Sequence, residues 1–155
     1  MLLQIGQAAP EFKLFNSEKK EISLSDYKGK NVLILFFSQA FTGTCIDELC
    51  RVRDNYTDFI TTHTVVLGIS VDSLFTLAAF KKEQNLQYEL LSDFNKTVSP
   101  QYDSLFEEFV FGMKGVAKRS AFLIDKEGII RHMDIGKEFS SLPNYDAIKT
   151  GLEKL

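Results

Sequence analysis

Residues 31–50 read Asn31-Val32-Leu33-Ile34-Leu35-Phe36-Phe37-Ser38-Gln39-Ala40-Phe41-Thr42-Gly43-Thr44-Cys45-Ile46-Asp47-Glu48-Leu49-Cys50. Residues 31–37 are a continuous apolar run with Val and Ile in it, and that length favours a strand buried on both faces. A polar loop, residues 38–44, follows. From about residue 45 to residue 60 the pattern is helical. Cys45, Leu49, Val52, Tyr56 and Phe59 fall on one face at alternating spacings of four and three.

Reading outward from this unit, residues 64–71 form a second buried strand, and Asp72 or Ser73 caps a helix running to about Gln84. Residues 88–91 make a third, shorter strand, and helical turns are expected over residues 96–105. Residues 120–124 and 129–135 alternate around Lys126-Glu127-Gly128, a hairpin signal. Residues 142–155 read as a closing helix. Upstream, residues 10–24 read as a small hairpin, and residues 24–30 as a short turn. Strands alternating with helices imply a central sheet with helices on its faces, and the appended hairpin makes that sheet mixed. The expected fold is α/β and thioredoxin-like: a central mixed sheet flanked by helices, with an N-terminal β-hairpin, in a single domain over residues 1–155.

The composition agrees with a folded chain. Of 155 residues 45% are hydrophobic and 25% charged, far from disordered sequences. The net charge of −3, with no basic run, points away from nucleic acid and anionic membranes. Residues 32–37 are the longest apolar run, too short to span a bilayer. The first residues have neither a basic segment nor a long apolar one, so no signal peptide is read and a cytoplasmic location is expected. In that compartment two cysteines, Cys45 and Cys50, are either core thiols or chemistry.

Cys45 follows a buried strand and a Thr/Gly loop and opens a helix. There, unpaired backbone N–H groups and the positive end of the macrodipole favour thiolate over thiol. Thr42 and Thr44 bring hydroxyls close by, and Gly43 permits close backbone approach. On this evidence alone a nucleophilic thiolate and an inert buried thiol are about equally supported. Cys50 adds a conditional. Residues five apart in an intact helix have Cα atoms roughly 8–9 Å apart, beyond the reach of a disulfide. A Cys45–Cys50 bond therefore requires the first helical turns to unwind; otherwise Cys50 is an unrelated helix thiol.

Other chemistries fit less well. Cys-x4-Cys is not the Cys-x-x-Cys of a dithiol oxidoreductase. Two thiols with His63 and His132 make a poor zinc set, and a Cys–His hydrolase needs one of those histidines beside Cys45. No phosphate-binding glycine motif occurs, and Gly112-Met113-Lys114-Gly115 reads as a turn.

Thr42-Gly43-Thr44-Cys45, with Phe41 before and Glu48 after, resembles the active-site signature of the peroxiredoxins, Pro-x-x-x-Thr-x-x-Cys. The resemblance extends along nearly the whole chain: Gly6-x-x-Ala9-Pro10-x-Phe12-x-Leu14, residues 66–72, Leu90-Leu91-Ser92-Asp93 and residues 119–125 match in order. It implies a thiol-dependent peroxidase with Cys45 as peroxidatic cysteine. Thr42 would bond the peroxide and the sulfur, Arg119 would be the active-site arginine, and Glu48 would orient that arginine. Ser38 occupies the motif's proline position, which implies a wetter site. The Cys-x4-Cys spacing resembles the bacterioferritin-comigratory-protein (PrxQ-like) subgroup, whose resolving cysteine would be Cys50, while Ala40-Phe41-Thr42-Gly43 resembles the one-cysteine AhpE-like group.

The resemblance implies that hydrogen peroxide or an alkyl hydroperoxide converts Cys45 to a sulfenic acid. Cys50 then forms an intramolecular disulfide, and a thioredoxin-like or other thiol reductant restores both thiols. No metal, haem or flavin cofactor is expected, since sulfur carries the redox chemistry. Three alternatives stay open: one-cysteine turnover with an external thiol, a peroxide-responsive sensor or interaction module, and a redox-inactive scaffold. Phe41, Phe106, Phe109 and Phe111 are candidates for an apolar collar around alkyl substrates, or for core. Monomer and homodimer are both compatible with the resemblance.

Overall fold

Leu33, Leu35 and Phe37 point into one hydrophobic core, and Val32, Ile34 and Phe36 into a second, on opposite faces of the same strand. This is the physical reason the run is uninterrupted: every position of the strand is buried. Each such side chain contributes about 1.5–3 kcal/mol on burial, so this strand anchors the sheet and whatever is attached to its end.

The computed structural model describes residues 2–139 and 141–155, the side chains of residues 44–46 excepted. In chain order, β1 (Lys13–Asn16) and β2 (Glu21–Ser23) precede β3 (Asn31–Phe36). Helices α1 (Gly43–Asp54) and α2 (Thr57–Thr61) lead to β4 (Thr64–Ser70), and α3 (Leu74–Gln84) leads to β5 (Glu89–Ser92). The short α4 (Val98–Gln101) is followed by β6 (Leu105–Glu108), β7 (Lys114–Ala117), β8 (Ser120–Ile124), β9 (Ile130–Ile135) and α5 (Tyr145–Glu153). The main sheet runs β2-β1-β5-β4-β3-β8-β9. Its centre, β5-β4-β3, is parallel, while β1, β8 and β9 join antiparallel to their neighbours. The mixed sheet flanked by helices and the N-terminal hairpin are those of a thioredoxin-like fold.

One core lies under α1, α2, α3 and α5, through Leu49, Val52, Phe59, Leu77, Phe80, Ile148 and Leu152. The other lies under α4 and the N-terminal segment, where Tyr102 packs between Phe36 and Phe122 at 5.4 and 5.1 Å. Among the described residues no helix is long and apolar enough to cross a membrane.

The structure corrects three sequence expectations. The helix expected over residues 45–60 begins at Gly43 and is broken at Asn55 and Tyr56. The Asn55 side chain donates to the Arg51 carbonyl (2.8 Å), supplying a partner that ends the first helix. The helical turns expected over residues 96–105 shrink to the single turn of α4. Its start is held by buried Asp93, which accepts from the amides of Thr97, Val98 and Ser99. Residues 105–117 form a second, two-stranded sheet, β6-β7, that the turn residues concealed: Phe111, not a glycine, takes the left-handed conformation at φ 58°.

Candidate active site

The site grows from the C-terminal end of β3. Phe36 lies opposite Ile69 of β4 and Ser120 of β8, so three strand ends meet there. The loop leaving β3 is tied to β4 and β5. The Ala40 amide donates to Asp72 Oδ2 (2.7 Å), which also accepts from Ser70 Oγ (2.7 Å). Ser92 Oγ donates to the Asp72 carbonyl (2.6 Å). Phe41 holds a left-handed turn (φ 71°), with its half-exposed ring edge-on to Phe80 at 5.2 Å. Gln39 Nε2 meets Met113 Sδ at 3.4 Å, which brings the turn before β7 to the same loop. Ser38 is fully buried, so the replacement of the motif's proline leaves no opening to solvent at that point.

This loop delivers the chain to the first turn of α1. Thr42 is the N-cap, in extended conformation, but its hydroxyl does not cap the helix; it donates to the Gln39 carbonyl at 3.0 Å. Cys45 is the third residue of α1, among the amides that lack intrahelical partners. Its side chain and that of Thr44 lie outside the described residues. Glu48, one turn on, is buried at 7% exposure.

Arg119 immediately precedes β8, one residue beyond the Ser120–Phe36 pair, and so lies beside the strand end that feeds the loop. It is 4% exposed. Its Nε and Nη1 are buried without a hydrogen-bond partner among the described residues. A guanidinium in that state is costly unless an anion occupies the space in front of it. Its backbone is fixed from β9: the Gly136 amide donates to the Arg119 carbonyl at 3.0 Å. A Cβ on Gly136 would sit 2.6 Å from that oxygen. Gly136→Ala is therefore expected to destabilise the protein by about 1–3 kcal/mol, read as a shift in the urea midpoint. A midpoint within error of wild type counts against this close approach as what holds Arg119.

Cys50 is directed away from this strand end. Its buried thiol donates to Gln84 Oε1 at the end of α3 (3.5 Å), and burial, the largest influence, pushes its pKa up. Cys45 and Cys50 belong to one unbroken helix. Thr42 thus stands at the N-terminus of α1 and Glu48 is buried one turn after Cys45, Arg119 lies beside the β3 end that feeds the loop, and the Cys50 thiol is packed against α3.

A model of the AhpC/TSA family matches residues 5–133. The chain belongs to this family of peroxiredoxins. Peroxiredoxin Bcp of Bacillus subtilis is 36% identical over 129 residues, covering 83% of this chain and 82% of that one. A Coxiella burnetii protein named as a candidate peroxiredoxin, bcp, is 41% identical over 132 residues, with 84% and 87% covered. Among solved structures, the peroxiredoxin-like protein from Aquifex aeolicus superposes with a TM-score of 0.88 at 25% identity, with 99% of this chain and 88% of that one covered. As a peroxiredoxin the chain is a thiol-dependent peroxidase, an oxidoreductase that takes a peroxide substrate and a thiol reductant.

In this peroxiredoxin the histidines stand apart from the site. His63 precedes β4, whose first residue lies opposite Asn31, at the other end of the parallel strands from Phe36. His132 lies opposite Leu123, within the β8-β9 ladder. The four phenylalanines considered for a collar do not form one ring. Phe41 packs on Phe80, Phe106 and Phe109 cluster with Phe139 at 5.0–5.9 Å, and Phe111 is 96% exposed. Asp72 and Gly136 were missed by the sequence reading as positioning residues. Asp72 was visible only as a possible helix cap, and Gly136 lies just past the hairpin expected over residues 120–124 and 129–135, whose exact register, Ser120 opposite Ile135, is what sets it beside Arg119.

Proposed function

We propose that this peroxiredoxin reduces hydrogen peroxide and alkyl hydroperoxides through a Cys45 thiolate, as one thioredoxin-like domain over residues 1–155. The observation that carries the reading is the buried Arg119 guanidinium, whose Nε and Nη1 have no hydrogen-bond partner among the described residues, at the strand end that feeds the helix carrying Cys45 in its first turn. The thiolate attacks the terminal peroxide oxygen. The O–O bond breaks, Cys45 becomes a sulfenic acid, and the remaining oxygen leaves as water or an alcohol after taking a proton. Arg119 and the first-turn amides stabilise the thiolate and the charge developing on the leaving oxygen. Thr42 donates its proton to Gln39, which leaves its oxygen lone pairs to accept the hydrogen of the incoming hydroperoxide. Glu48, a buried carboxylate one turn from Cys45, supports the orientation of Arg119.

Resolution follows by attack of Cys50 on the sulfenic sulfur, releasing water and forming the Cys45–Cys50 disulfide. A thioredoxin-like dithiol in the cytoplasm returns both thiols by exchange. While Cys50 is packed against Gln84 its raised pKa keeps it protonated and a weak nucleophile, so helix opening precedes attack. The same packing favours a second reading, one-cysteine turnover with an external thiol.

Intact mass after acid quench, with one equivalent of hydrogen peroxide on the reduced protein, tests both. Loss of two hydrogens, with neither cysteine left to alkylate, is expected; Cys50→Ser should gain one oxygen instead. One oxygen gained by the wild type, with Cys50 still alkylatable, supports the one-cysteine reading. An unchanged mass after seconds removes the peroxidase assignment to Cys45.

A further inference from the structure

The two cysteines share α1, so the disulfide demands that part of this helix come apart, and its packing says where. Four contacts stitch its middle to the end of α3 and the stretch that follows. The Cys50 thiol meets Gln84 Oε1 at 3.5 Å, and Arg53 Nη1 donates to the Gln84 carbonyl at 2.6 Å. Gln87 Nε2 donates to the Arg53 carbonyl at 3.1 Å, and Tyr88 Oη donates to the Leu49 carbonyl at 2.7 Å. The left-handed Asn85 (φ 54°) ends α3 and turns residues 86–88 back toward α1. The Arg53 and Gln87 contacts hold residue 53, beyond both cysteines, and need not break. The thiol contact is a weak one. The Tyr88 bond is different in position and quality: it acts between the two cysteines, it is short, and Tyr88 is 3% exposed.

The carbonyl of Leu49 and the amide nitrogen of Cys50 belong to one rigid peptide plane. A phenol holding that oxygen therefore holds the plane from which the Cys50 Cα departs. The phenol also stays a donor. Burial first, and then the negative charge of Glu48, push its pKa well above the ordinary tyrosine value.

We propose that Tyr88 is a positioning residue that gates resolution: its bond to the Leu49 carbonyl holds α1 closed between the two cysteines and must break before Cys50 can turn to oxidised Cys45. The inference rests on the reading of Cys50 as the resolving cysteine. Tyr88→Phe removes the bond and keeps the ring, which stacks near Tyr56 at 6.2 Å. Leu49 and Arg53 are four residues apart within α1, so the carbonyl retains its helical partner.

The test is rapid mixing of the reduced protein with peroxide, acid quench and non-reducing mass, in wild type, Tyr88→Phe and Gln87→Ala. Disulfide formation is expected to be about five-fold faster in Tyr88→Phe, the effect of one net hydrogen bond, and unchanged in Gln87→Ala. At high peroxide the ratio of sulfinic acid to disulfide should fall by the same factor, because the sulfenic acid is shorter-lived. Hydrogen exchange in the reduced protein should quicken at amides 48–51 and not in β4. A wild-type disulfide that forms no faster in Tyr88→Phe overturns the gate and leaves Cys50 as resolver. Equal acceleration in Gln87→Ala overturns it too, since general loosening then explains the effect. No disulfide in the wild type overturns the assignment of Cys50, and the gate with it.

Discussion

Cys45→Ser is expected to abolish peroxide consumption, lowering the thiol-dependent rate by about ten-thousand-fold or more. The proposed reaction needs an atom that is anionic near neutral pH and accepts an oxygen. A thiolate at the start of α1 does both. A serine hydroxyl does neither: the partial positive charge of a helix N-terminus is worth at most about 2 kcal/mol, far too little to ionise an alcohol. Serine differs from cysteine by one atom and has a similar helix propensity, so the fold should survive. The measurement is stopped-flow peroxide loss with a dithiol reductant in excess, beside a thermal melt showing an intact protein. Residual consumption above about 1% of wild type, on a scale where nucleophile removal costs four to six orders of magnitude, would assign the chemistry to another residue. Cys50 is the only other cysteine, and the double variant would settle its part.

How much of this site was legible beforehand differs residue by residue. The strand over residues 31–37 was legible because burial on both faces forbids polar alternation, and β3 indeed divides its side chains between two cores. The loop and the opening of α1 followed from its polarity, although the helix starts at Gly43, two residues earlier than the apolar periodicity suggests. Periodicity reports the buried face, whereas a helix begins where its cap allows. The break at Asn55 was hidden for a related reason. The apolar spacing continues across it, and Leu49, Val52 and Phe59 share one core although they sit on two helices. Arg119 was visible only through the family resemblance. An arginine preceding a strand has no local signature, and its proximity to the site comes from β8 pairing with β3 across more than eighty residues of sequence. The direction of the Cys50 thiol and the Tyr88 contact were not legible at all, since both depend on how the end of α3 turns back on α1.

Arg119→Met is expected to separate stability from activity. Methionine retains most of the apolar stem and removes the guanidinium. In the resting fold Nε and Nη1 are buried without hydrogen-bond partners among the described residues, so their loss breaks no hydrogen bond described there. Removing a buried charge that lacks such partners also removes its desolvation cost. The melting temperature should therefore hold or rise. The rate of Cys45 oxidation by hydrogen peroxide should fall by about 100- to 1000-fold, the usual cost of removing one preorganised donor to developing negative charge. The rising limb of the pH–rate profile should also move to higher pH. A positive charge near a thiol favours its ionised form, so its loss leaves less thiolate at any given pH below full ionisation. Measuring the second-order rate from below pH 6 to above pH 9 separates the two contributions. A deficit that vanishes at high pH means the arginine acts only on the thiolate; one that persists means it also stabilises the leaving oxygen, as proposed. A wild-type rate, or a loss of activity matched by a collapse in melting temperature, would make Arg119 a packing residue and remove it from the mechanism.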